Sequence, residues 1–302
     1  MLMAPRVETP QGMSVDPKSL GLAYRAYEQI SLGPRETVDG SFFLVGNRFG
    51  RVEHAYDHLS PKTASPTKIE WFKHEVKNQV ERCVLGSINI ADIAYELFAN
   101  AEEWGGNDID GSDIRPNVRG IILKVHGNPL QGFSQYDETP TTEYLDQWKA
   151  EQGAIPKLLE LSIFDAGVGL AQHALGKRIT ETTSLKEEYE KVMECLRKYS
   201  SASGRTYRGL GLHYVMSLLT QTKGFLRYRS GRLSLFRNFY RQPFMPDIGR
   251  DTLDPARQTR LRAKNIYFFD WRSKSLDLKS LDLIHAPPVD GALFTLLFPL
   301  RR

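Results

Sequence analysis

The fifteen residues from Ile90 to Trp104 constrain this fold most. At about 100° per residue, Ile93, Ala94, Leu97, Ala101 and Trp104 share one face, while Asp92, Glu96, Asn100 and Glu103 cluster on another. Asn89 can cap the start of this helix, and Gly105-Gly106 follows it at once. A helix with such an apolar back must lie on an apolar layer. The chain supplies that layer mostly late. "VRGIILKVHG" (118–127), "KLLELSIFDAG" (157–167), "FLRYRSG", "RLSLFRNFY", "NIYFFDW" and "GALFTLLFPL" read as strands. The expected class is α+β, a two-layer α/β sandwich with helices over one mixed, mostly antiparallel sheet.

Other elements fit around this frame. "DPKSLGLAYRAYEQISLG" reads as a short helix with a glycine stop, and "GSFFLVGNRFG" as a strand bounded by glycines. The Pro/Ser/Thr-rich joint "SPKTASPTK" (60–68) is the expected boundary. It separates an N-terminal extension, residues 1–65 and a candidate dimerisation arm, from a domain spanning 66–302. A helix from Ile69 to Leu85 is broken by Gly86-Ser87. "SLKEEYEKVMECLRKYSS" reads as a helix, and "GLGLHYVMSLLTQTKG" as another that begins at glycines and ends at Gly224. The stretch between the strands at 118–127 and 157–167 reads as a polar connection.

Composition narrows the class. The 302 residues are 41% hydrophobic and 25% charged, as in an ordinary globular protein. No stretch approaches the roughly 18 consecutive apolar residues of a membrane span, and the start carries no secretion pattern. Cys83 and Cys195 lie far apart, without metal-type spacing. That suits a reducing cytoplasm and argues against a disulfide framework or a zinc site. The net charge of +4 is uneven: Lys223 to Lys274 holds thirteen Lys/Arg against four Asp. Such a stretch is either a candidate nucleic-acid surface or a solvated basic face balanced elsewhere.

Three constellations carry chemistry, and each has two readings. Asp165-Ala166-Gly167-Val168-Gly169 ends a β-type run. It is either an acceptor for a ligand amine with glycines that let backbone come close, or a tight turn after a strand. Gly209-Leu210-Gly211-Leu212 opens a helix, with Arg205 and Arg208 just before it. It is either an anion site at a helix N-terminus or a loop with arginines in water. Glu96 and Asn100, one helical turn apart, are either a water-activating base beside an oxygen ligand for Mg²⁺ or part of a solvated acidic face.

Order joins these signals. E-x-x-x-N on a helix is followed by D-x-G-x-G after a strand, G-x-G-L opening a helix, and a terminal "GALFTLLFPL". In this order, residues 66–302 resemble the ATP-binding domain of the GHKL superfamily of ATPases and kinases. The resemblance implies the Bergerat fold, with ATP between a helical layer and the sheet. By it, Glu96 corresponds to the catalytic base and Asn100 to the Mg²⁺ ligand. Asn100-Ala101-Glu102-Glu103 is similar to the N-[AS]-x-D of some members, which places Glu103 at the cofactor too. Asp165 corresponds to the acceptor of the adenine amine, with Gly167 and Gly169 beside it. Gly209 and Gly211, with Leu210, Leu212, Arg205 and Arg208, fall at the phosphates. Residues 170–208 correspond to a flexible lid, and Gly105-Gly106 to chain freed beside the phosphates.

Two departures stand out. The family's last motif commonly reads G-T-x-F, where Thr helps hold adenine; here it is Gly291-Ala292-Leu293-Phe294. Segments 127–155 and 239–264 have no counterpart in the minimal domain and are candidates for partner contacts. "KHEVKN" (73–78) is similar to a histidine-kinase phosphoacceptor box, but His74 is only 26 positions from Asn100 and is read as a helix-surface residue.

The function expected is Mg²⁺-dependent ATP binding with slow hydrolysis, acting as a conformational switch in an ATP-dependent homodimer or with a protein partner. The alternatives are a protein Ser/Thr kinase of the anti-sigma-factor type and a non-catalytic nucleotide sensor that binds nucleic acid.

Overall fold

The computed structural model describes residues 42–44, 90–112, 119–126, 140–165, 167–196, 211–244, 268–271 and 282–300. Its strands are β1 (Phe42–Leu44), β2 (Arg119–His126), β3 (Lys157–Asp165), β4 (Phe225–Gly231), β5 (Leu233–Asn238), β6 (Phe269–Asp270) and β7 (Val289–Leu300). Its helices are α1 (Ile90–Trp104), α2 (Pro140–Gln152), α3 (Leu170–Leu175), α4 (Leu185–Cys195) and α5 (Gly211–Thr222). The expected helices at 69–85 and near the N-terminus, and His74, lie outside the described residues.

One seven-stranded sheet runs in the order β1-β2-β3-β7-β4-β5-β6. Every pairing among the described residues is antiparallel, so the mixed element of the expected sheet is not seen there. The last strand in the chain, β7, sits centrally between β3 and β4. Its composition explains that place. Ala292, Phe294, Leu296 and Phe298 alternate towards the helices, while Leu293 and Leu297 are buried on the opposite face. β1, from the N-terminal extension, pairs with β2 at the sheet edge, so part of that extension belongs to the sheet.

The helical layer forms over one face. Ile90, Ile93, Ala94, Leu97, Phe98 and Ala101 of α1 join Val215, Met216 and Leu219 of α5 and Val192 of α4. They close on Leu161, Ile163, Leu226, Leu235, Phe294 and Leu296 of the sheet. Ser184 starts α4 by accepting from the Glu187 amide at 3.0 Å, as an N-cap does. The chain leaves α5 through Lys223, whose φ of 53° turns it towards Gly224 and β4.

The opposite face differs from the expected two layers. There α2, inside the segment read as a polar connection, packs Tyr144 and Leu145 onto Leu158, Phe225, Phe236, Phe269 and Leu297. The Tyr144 hydroxyl donates to the Lys223 carbonyl at 2.9 Å, and burial raises its pKa above the ordinary phenol range. The sheet is thus covered on a second side over part of its area. Only Tyr144, Leu145 and Trp148 are apolar anchors in "PTTEYLDQWKAEQ", too narrow a stripe to announce a helix in the sequence.

Part of the basic stretch is internal. Arg229 and Arg237 are almost wholly buried and donate to backbone carbonyls, Arg229 to Leu233 and Arg237 to Gln242. The guanidinium of Arg227 lies over the Trp271 ring at 4.3 Å. Arg232 donates from its amide and from Nε to buried Glu188, both at 2.9 Å, and ties α4 to the β4–β5 turn. A Cβ on Gly231 would fall 2.2 Å from the Glu188 carboxylate. These four cations are engaged inside the fold; Lys223 and Arg241 are exposed, and the other seven basic residues of the stretch, from Arg250 to Lys274, lie outside the described residues. Among the described residues, no helix is long and apolar enough to cross a membrane.

Replacing Arg232 with Met would leave Glu188 buried without its cation. The expected loss is about 3–5 kcal/mol of stability, read from urea denaturation. A loss below about 1 kcal/mol would show that the pair is not structural.

Candidate functional site

The site begins where α1 ends. The Gly105 amide donates to the Ala101 carbonyl at 2.9 Å, which completes the last turn. A Cβ on Gly105 would lie 2.6 Å from the Asp165 Cβ, and one on Gly167 would lie 2.7 Å from the Gly105 Cα. The end of α1 and the turn after β3 therefore meet backbone to backbone. This close approach to Asp165 is the observed reason for Gly105, in place of the expected freedom beside a phosphate.

Asp165 is fixed by the same turn. Its Oδ1 accepts from the Gly167 amide at 2.9 Å, an Asx-type bond that orients the carboxylate. Asp165 also stands directly across from Ala292 in the β3–β7 register. Gly169 follows with φ of 81°, in the left-handed region. A Cβ there would strike the Ser230 Oγ at 2.2 Å. Gln172 braces the start of α3: its Nε2 donates to the Val168 carbonyl at 2.6 Å, and its Oε1 accepts from the Ile179 amide at 2.9 Å.

Between these elements lies a narrow cleft, partly open to solvent. Leu97, Ala101, Ile163, Leu170 and Phe294 give it apolar walls, with Gly169 and Ala292 at its edge. Asn100, Asp165 and His173 are its polar side chains. An apolar slot with a few converging polar groups is the common form of a small-molecule site.

The sequence-predicted residues divide as follows. Asn100, Asp165 and Gly169 share the cleft, and Gly167 shapes its Asp165 corner. Glu96 is half-buried one turn before Asn100, outside the cleft lining. Gly211 is the first residue of α5, while Leu212 packs into the core beneath that helix. The side chain of Glu103 and all of Arg205, Arg208, Gly209 and Leu210 lie outside the described residues. Of the expected lid 170–208, residues 170–196 carry α3 and α4. α4 is held down by buried Glu188 and by Tyr189, whose hydroxyl donates to the Phe268 carbonyl at 2.9 Å. A lid that swings as one piece over 170–208 does not fit that anchoring.

Two cleft residues were not read as site residues from the sequence. Trp104 and His173 meet edge to face at 5.3 Å, and His173 Nε2 lies 3.1 Å from the Trp104 carbonyl. A carbonyl only accepts, so Nε2 carries the proton there. One signal was available: His173 is one turn beyond Gly169. Outside the cleft wall, Arg178 pairs with Asp108 and ties the loop after α3 to the loop after α1.

Among the described residues no group of three His, Cys, Asp or Glu is placed to hold a metal ion. A lone Asn100 oxygen still suits Mg²⁺, which keeps several waters and takes phosphate oxygens when it binds with a nucleotide. Burial pushes the Cys195 thiol up to about 11, so it is not a thiolate nucleophile at neutral pH. No family model, characterised protein or solved structure matches this chain.

Gly105→Ala should force Asp165 and the end of α1 apart. The expected cost is about 1–3 kcal/mol, read as a lower denaturation midpoint. An unchanged midpoint would show that the close approach is not obligatory.

Proposed function

We propose that this chain binds Mg·ATP in the cleft between α1, the β3 turn and β7, and hydrolyses it slowly as a conformational or dimerisation switch. In this reading the fold is the Bergerat fold and the chain is a GHKL-type ATPase. The observation that carries it is convergence. Asn100, Asp165, Gly169 and Ala292, drawn from three motifs spaced far apart in the sequence, line one cleft.

Each residue then has a task. The apolar walls take a planar base and exclude water from it. The Asp165 carboxylate, pinned by the Gly167 amide, accepts from the base amine. Asn100 offers its amide oxygen on the phosphate side. Mg²⁺, when bound, offsets part of the phosphate charge. The amides at the start of α5, from Gly211, receive phosphate oxygens. Glu96 orients a water and accepts its proton as the water oxygen bonds to the γ-phosphorus. The bond from that phosphorus to the β–γ bridging oxygen breaks, giving ADP and inorganic phosphate. Positioning supplies most of the rate in such a reaction. ATP favours one conformation of the chain and hydrolysis restores the other.

A nucleic-acid sensor would have to use basic residues other than Arg229, Arg232 and Arg237, whose side chains are buried in the fold. Incubating the full-length protein with labelled ATP and Mg²⁺, with and without nucleic acid, separates the readings. Free phosphate is expected; label retained on protein would instead indicate the kinase.

Glu96→Gln should keep ATP binding and lower turnover by about 10²–10⁴-fold, the usual worth of a general base. Unchanged phosphate release would remove Glu96 from the mechanism. Asn100→Ala should abolish the Mg²⁺ dependence of ATP binding; calorimetry that finds the same Mg·ATP affinity would rule out its ligand role.

A further inference from the structure

One polar side chain of the cleft, His173, still has no task. Asn100 takes the phosphate side and Asp165 the base, and the Trp104 indole can only donate. His173 is held in place through its backbone. Its amide donates to the Gly169 carbonyl and its carbonyl accepts from the Gly176 amide, both at 3.2 Å. Leu170 and His173 turn one side of α3 to the cleft, while Ala171 and Gln172 between them are buried. Across from them α1 presents Asn100 and Trp104, one turn apart.

The Trp104 carbonyl sets the tautomer of this imidazole. Nε2 donates to it at 3.1 Å, and the two rings meet edge to face with centroids 5.3 Å apart. These are the contacts of the His173 side chain among the described residues, so Nδ1 takes no hydrogen bond there. In the neutral ring a proton on Nε2 makes Nδ1 an acceptor. An acceptor selects its ligand atom. The ring nitrogens of adenine and the ionised phosphates of ATP only accept. Besides the base amine, the donors left on ATP are the two sugar hydroxyls. With the amine at Asp165, a hydroxyl is what Nδ1 can take. The sugar also stands in the right order, between a base at Asp165 and phosphates at Asn100.

We infer that His173 reads the sugar of the nucleotide: its Nδ1 accepts from a ribose hydroxyl, and Trp104 positions the ring that does so. This rests on the reading of the cleft as an ATP site. It gives the cleft a preference for ribonucleotides over deoxyribonucleotides, separate from the choice of base at Asp165. His173 acts on affinity and choice of sugar and has no part in activating the water.

The test is calorimetric titration of the full chain with ATP, 2′-deoxy-ATP and 3′-deoxy-ATP, each with Mg²⁺. At least one analogue should bind about ten-fold more weakly than ATP, the worth of one hydrogen bond, and the weaker one names the hydroxyl. His173→Phe keeps a ring against Trp104 and removes both nitrogens. It should bind ATP about ten-fold more weakly and hold all three nucleotides alike. Equal affinity of the unmodified protein for ATP and both analogues would overturn the proposal and leave the ATP site standing. So would a His173→Phe protein that keeps the preference for ATP, even if all three affinities fall together, which marks His173 as a structural tie between α1 and α3. Failure of the unmodified protein to bind ATP would instead overturn the ATP reading, and this inference with it.

Discussion

The end of α1 lies against the end of β3 with no Cβ between Gly105 and Gly167. The rest of the site depends on this contact. It sets how close the polar face of α1 comes to Asp165, and so how wide the cleft is. Two larger residues there would force the end of α1 away from the turn after β3. Packing farther along α1 holds the contact shut, since Ile93, Leu97 and Ala101 are buried in the same core as Ile163 and Phe294. A helix anchored by its apolar back can hold polar groups in a fixed place at its front.

Much of this was legible in the sequence, for identifiable reasons. α1 shows because its apolar residues repeat at helical spacing over fifteen positions, and β7 because apolar residues fill it on both faces. The neighbourhood of Asn100, Asp165 and Ala292 is a matter of register, which strand patterns alone do not state. The motif order supplied it as an expectation. α2 was missed because its anchoring stripe is narrow. The role of Gly105 was misread because a close approach between two distant segments leaves no mark beyond the glycine itself. Trp104 was read as core and His173 was not read at all, because their contact joins α1 to α3 across the cleft.

Charge shows the limit of composition most clearly. Of the thirteen basic residues in 223–274, six are described, and among these only Lys223 and Arg241 are exposed. In the fold, Arg229 and Arg237 cap carbonyls, Arg232 neutralises Glu188, and Arg227 stacks on Trp271. Arginine suits such places because its planar donors satisfy several acceptors at once and its face packs on aromatic rings. A count of charges carries no information on which of them reach solvent. The same caution holds for Glu188, acidic in sequence yet buried as the partner of Arg232.

Purine recognition by Asp165 is the central claim, and calorimetric titration of the unmodified protein with ATP and with GTP, both with Mg²⁺, tests it most directly. A guanine presents a carbonyl where adenine presents an amine, so the carboxylate would face an acceptor. Opposed buried acceptors cost about 1–3 kcal/mol, which is roughly a ten- to hundred-fold preference for ATP. Asp165→Asn should erode that preference, because an amide can turn its NH₂ towards the guanine oxygen. Equal affinity of the unmodified protein for the two nucleotides would contradict the adenine assignment and the ATP site built on it.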